Sequence, residues 1–148
     1  MPQEKAIDYF HQGYNCAQSV FAAFAEELGL FRGRRPAPAL GLRRRSGPHA
    51  RHLRRIFRAR PHCAGFKHGN LSPDPADKER IFALTRKLVD EFRTEFGSPQ
   101  CRELLHLPPD AEEGARPSER TADYYAARPC ECCVAFCAAR AAEILEKD

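Results

Sequence analysis

Ser72-Pro73-Asp74-Pro75-Ala76-Asp77-Lys78-Glu79-Arg80-Ile81-Phe82-Ala83-Leu84-Thr85-Arg86-Lys87-Leu88-Val89-Asp90-Glu91-Phe92-Arg93-Thr94-Glu95-Phe96-Gly97 is the stretch that decides the fold class. Ser72 and Asp74 are each a helix cap followed by a proline, which suits the first helical position because its missing N–H has no helical partner there. Ile81, Leu84, Leu88, Phe92 and Phe96 then recur every three or four residues, the spacing that gathers apolar side chains on one side of a helix. Gly97 supplies the stop. The pattern predicts a long amphipathic helix and leaves no room for a strand.

The same grammar extends in both directions. Downstream, Ser98-Pro99-Gln100-Cys101 repeats the cap-then-proline opening for a short helix to about Leu105, halted at Leu107-Pro108-Pro109-Asp110. Residues 108–120 read as a loop, and a last helix from about Pro129 to Glu146 carries Val134, Cys137, Ala141 and Ile144 or Leu145 on one side. Upstream, Glu4 to Gln12 suits a short helix with Ala6, Ile7 and Phe10 inward, ended by Gly13. Asn15 with Gln18 forms a capping-box pattern opening a helix whose Ala17, Phe21, Phe24 and Leu28 are core positions. No segment alternates as a strand does. The expectation is an all-α protein, a small bundle of about four to five helices, in a single domain over residues 1–148.

Hydrophobic residues at 43% can fill such a core, while no apolar run reaches the roughly 20 residues of a membrane-spanning helix. Met1-Pro2-Gln3-Glu4-Lys5 offers neither a basic nor an apolar secretory region. The expectation is therefore a cytoplasmic protein with no membrane association. In that reducing setting seven cysteines read first as thiols, metal ligands or redox groups rather than structural disulfides.

Net charge is +4, but it averages two unlike compositions. Residues 31–63 contain 11 Arg and no Lys, Asp or Glu, and the remainder of the chain is net −7. Arginine clusters neutralise phosphates, so a nucleic-acid arm is one reading. The complete absence of lysine argues instead for GC-rich codons read in the wrong frame. Back-translated and read one base later, Leu40 to Arg45 permits Ser-Gly-Phe-Gly-Gly-Gly, and His52 to Arg58 permits Thr-Cys-Gly-Ala-Phe-Ser-Gly. A glycine turn and a cysteine motif emerge in order, and sensible sequence returns near Gly65-Phe66-Lys67. The expectation is an irregular, poorly packed Arg-rich segment that leaves part of the core uncovered and favours a homodimer.

The cysteines share one setting. Cys16 follows the cap Asn15, Cys101 follows Ser98-Pro99-Gln100, and Cys130, Cys132 and Cys133 follow Pro129, so all stand in or near a first helical turn. Unpaired N–H groups and the positive end of the helix dipole favour thiolate there. Cys130 and Cys133 also form a Cys-x-x-Cys pair, and Cys133 with Cys137 lies at i, i+4. Zinc-finger spacing, a thioredoxin-like strand and helix, a Walker loop, a dinucleotide fingerprint and a Ser-His-Asp order are all missing. His11, His68 and His106 are weighed as ligands or acid/base groups and read as solvated.

Phe10-His11-Gln12-Gly13-Tyr14-Asn15-Cys16-Ala17-Gln18-Ser19-Val20, then Gly65-Phe66-Lys67-His68-Gly69, Glu91-Phe92 through Phe96-Gly97, Cys101-Arg102-Glu103-Leu104-Leu105 and a cysteine-bearing last helix resemble, in that order, the C_GCAxxG_C_C family of redox-active bacterial proteins. The Cys-Gly-Ala-x-x-Gly motif itself is absent and falls in the shifted frame of the Arg-rich segment. The resemblance implies thiol/disulfide redox chemistry, as in a thiol-dependent oxidoreductase, with Cys16, Cys101 and Cys133 as catalytic residues and an unidentified redox or electron-transfer partner. Cys130 and Cys132 are alternatives for the family's last cysteine. A second expectation is an iron–sulfur or other thiolate-bound metal in an electron-transfer module, its ligands drawn from Cys16, Cys101, Cys130, Cys132 and Cys133. A damaged, inactive family member and a nucleic-acid-binding protein using the Arg-rich segment complete the alternatives.

Overall fold

The computed structural model describes residues 1–28, 75–108 and 119–146. The Arg-rich segment 31–63, Cys63, His68, the Gly65–Gly69 motif and the caps Ser72 and Asp74 lie outside the described residues, and with them the expectations placed there. Among the described residues the chain is helical and contains no strand: α1 (Pro2–His11), α2 (Cys16–Ala23), α3 (Pro75–Phe96), α4 (Cys101–Leu104), α5 (Ala122–Ala126) and α6 (Cys130–Glu146). The all-α reading holds. The sequence reading had no counterpart for α5, a five-residue helix in which the Thr121 hydroxyl accepts the Tyr124 N–H.

The α1–α2 corner forms as its residues dictate. Gly13 takes φ +93°, a left-handed conformation that only glycine adopts without steric cost, and turns the chain away from α1. Asn15 then accepts the Gln18 N–H at 3.0 Å while the Gln18 side chain accepts the Asn15 N–H at 3.1 Å, completing the capping box. Replacing Asn15 with Ala removes one half of this exchange and is expected to lower stability by about 1 kcal/mol in urea denaturation. Asn15→Asp, which keeps the acceptor, should recover most of that loss.

The α1, α2 and α6 helices pack against one another in all three pairings. Their contact is lined by Ala6, Phe10, Ala17, Val20, Phe21, Phe24, Val134, Cys137, Ala138, Ala141 and Leu145. Leu145, rather than Ile144, completes the buried stripe of α6. The buried Ser19 hydroxyl is satisfied by donating to the Asn15 carbonyl at 3.0 Å. The α2 helix ends at Ala23, earlier than the stripe to Leu28 suggests, because the next N–H groups reach back only three residues: Phe24 to Phe21 and Ala25 to Ala22. Phe24 and Ala25 stay buried nonetheless.

The C-terminal end of α3 joins this core through an aromatic triad. Phe92 is fully buried, 4.5 Å from the Phe96 ring centroid and 5.8 Å from Phe136 of α6. Gly97, at φ +83°, ends α3 as its position predicts. Ser98 does not cap α4 directly. Its hydroxyl accepts the Gln100 N–H and donates to Glu103, while Gln100 occupies the cap position. Helix α4 therefore starts at Cys101, two residues later than the cap-then-proline pattern implies.

Candidate functional site

Three cysteines stand at the first residue of a helix: Cys16 in α2, Cys101 in α4 and Cys130 in α6. Cys16 and Cys130 are half-buried and Cys101 is buried, as is Cys133 one turn further along α6. The strongest electrostatic coupling among the thiols links the two ends of the chain, between Cys16 and Cys130. Cys133, favoured by the sequence for the family's last cysteine, is instead 2% exposed and lies behind this pair. Cys132 faces solvent, and Cys137 is fully buried in the α6 core stripe.

The pair is electrostatically asymmetric. Cys130 is lowered to about 7, first by the hydrogen bond from Cys16 and then, against the cost of burial, by the charges of Arg128 and Arg120. Cys16 moves well upward, because its proton is held in the bond to Cys130, burial disfavours its thiolate, and Cys130, Cys101 and Cys133 would repel a second negative charge. The pair shares its titration, and Arg128 and Arg120 favour a negative charge on the Cys130 side. A helix start alone therefore does not predict a low thiol pKa here: Cys16 and Cys130 both have that location and shift in opposite directions. Burial pushes Cys133 far up, with further repulsion from its cysteine neighbours.

The sequence reading missed Arg120, Arg128 and Tyr124, which surround the pair. Arg120 donates to the Phe10 and Tyr14 carbonyls, both at 3.4 Å, and so fixes the α1–α2 corner that delivers Cys16. Its guanidinium also lies over the rings of Phe10, Tyr124 and Tyr125, at 5.0, 5.2 and 5.9 Å. Arg128 lies over Tyr124 at 4.1 Å. Burial raises the Tyr124 phenol, partly offset by these two arginines, so it stays neutral beside the thiolate. The available signal was Arg128-Pro129-Cys130, a cation immediately before a cysteine-led helix.

His11 is not merely solvated. It stacks on Tyr125 at 4.6 Å and pairs with Glu131 at 2.9 Å, bridging the end of α1 to the first turn of α6. The Tyr125 hydroxyl donates to the Phe10 and His11 carbonyls at 3.3 and 3.4 Å, adding a second tie at the same corner. His106 lies in the exposed turn after α4, at φ +49°.

Among the described residues no group of three or more His, Cys, Asp or Glu side chains is arranged to hold a metal ion. Cys101 and Cys133 are near enough to Cys16 to act on its charge, which reaches further than a coordination bond. No helix among the described residues is long and apolar enough to cross a membrane.

A family model described as "Putative redox-active protein (C_GCAxxG_C_C)" matches residues 61–144. The matched span contains α3 to α5, α6 as far as Ile144, and all the cysteines but Cys16, so α1 and α2 lie outside it. No curated protein and no solved structure matches the chain. With more than half of its 148 residues matched, the chain belongs to the C_GCAxxG_C_C family.

Proposed function

We propose that this chain carries out thiol–disulfide exchange with Cys130 as the attacking thiolate and Cys16 as the resolving thiol. The carrying observation is the coupling of two thiols that each open a helix, Cys16 and Cys130, beside Arg120 and Arg128. An anion stabilised in this way is present at neutral pH and retains enough basicity to attack sulfur.

The steps balance without a further reactant. The Cys130 thiolate attacks one sulfur of a substrate disulfide, the substrate S–S bond breaks, and one substrate thiolate leaves. Cys130 then has no negative charge, so the bond and the repulsion that kept Cys16 protonated vanish. Cys16 gives its proton to the departing thiolate, attacks the Cys130 sulfur and expels the second substrate thiolate, which takes a proton from water. Two protein thiols are oxidised to one disulfide, and one substrate disulfide is reduced to two thiols.

Ionisation of Cys130 fixes the pH dependence. Alkylation of the reduced chain by iodoacetamide should rise about tenfold per pH unit below 7 and level off above it, with Cys130 as the first residue modified. Peptide mapping after one equivalent of disulfide should find Cys16 joined to Cys130. A midpoint near that of an ordinary thiol, or a bond from Cys130 to Cys133, sinks the assignment.

A further inference from the structure

The two arginines beside the thiol pair are not equivalent. Arg120 is fully engaged, with two backbone carbonyls and three aromatic rings around its guanidinium. Arg128 lies on the single ring of Tyr124, is half-buried, and has no carboxylate partner among the described residues. Glu131, the acid next to Cys130 in sequence, is taken by His11 at 2.9 Å. A planar cation with no carboxylate partner among the described residues, beside a nucleophilic sulfur, is suited to recognition, since a guanidinium presents its donors in the geometry that carboxylates accept.

We infer that Arg128, laid on Tyr124 beside Cys130, binds a carboxylate of the incoming substrate, so that the preferred substrate is a small disulfide with acidic groups near its sulfurs. This rests on exchange at Cys130, as proposed above. Arg120 is a positioning residue, because its donors are spent on the corner that carries Cys16. Tyr124 supports the Arg128 guanidinium, which lies 4.1 Å from its ring centroid.

The test uses the full reduced chain and three aliphatic disulfides: that of mercaptopropionate, which is anionic, bis(hydroxyethyl) disulfide, which is neutral, and cystamine, which is cationic. Rates are compared on the plateau above the Cys130 midpoint, which removes the effect of Arg128 on thiolate fraction. Arg128→Gln should lower the rate of the anionic reagent relative to the neutral one by about fivefold and raise that of cystamine relative to it. Added salt should reproduce the trend in the unmodified chain. Arg128→Lys, which keeps the charge but loses the fork, should recover part of the anionic rate. Equal slowing of all three reagents by Arg128→Gln would show that Arg128 only supports the thiolate, and overturns the recognition role while leaving exchange intact. No reaction of any reagent at Cys130 overturns exchange itself, and the recognition role falls with it.

Discussion

Cys130→Ser should eliminate the fast reaction with disulfides and all formation of a bond to Cys16. Only slower reaction at the exposed Cys132 then remains. At pH 7 a thiol at about 7 is half ionised, far more than an unperturbed one, although its lower basicity makes each anion less nucleophilic. The net difference is roughly five- to tenfold in rate at pH 7, widening as the pH falls. Cys16→Ser should behave differently. Its hydroxyl can still donate to Cys130, so the first attack persists, but the exchange stops at a mixed disulfide and one substrate thiol is released instead of two. Stopped-flow release of thiol with intact-mass measurement separates the two variants. A fast phase that survives Cys130→Ser, or two thiols released by Cys16→Ser, removes these residues from their assigned roles.

Phe92→Ala is expected to cost about 3–5 kcal/mol, the range for emptying a large buried aromatic site. Phe92 is fully buried and holds edge and tilted contacts with Phe136 and Phe96, so its removal leaves a cavity where α3 meets α6. The surrounding rings cannot close over it without leaving their own contacts. Phe82 on the same helix is 73% exposed, and Phe82→Ala should change stability by no more than about 0.5 kcal/mol. Urea midpoints for the two variants give the comparison. Equal losses would show that the end of α3 is not part of the cooperative core.

Local patterns were legible because they depend on neighbouring residues. Gly13, the Asn15–Gln18 exchange, the α3 stripe ending at Gly97 and the α6 stripe through Val134, Cys137 and Ala141 are all short-range consequences of spacing and backbone sterics. Cysteines at helix starts were legible for the same reason. Which of them meet was not, since the pairing of Cys16 with Cys130 follows from how α2 and α6 cross. Arg120 was hidden in a segment read as loop, and its partners Phe10 and Tyr14 lie at the other end of the chain. His11 was misread because its partner Glu131 is equally distant. Charge acting across space has no sequence period to reveal it.

The bond between Cys16 and Cys130 spans nearly the whole length of the polypeptide. A chain still emerging from synthesis has the first thiol but not the second, and an unfolded one has both without their contact. Neither contains Arg120 and Arg128, which flank α5, set against the corner of α1. Nucleophilic sulfur at this site is thus a property of the finished fold rather than of any segment. The exchange proposed for this site requires its two ends to dock, so reactivity toward disulfides would report on the chain's own maturation.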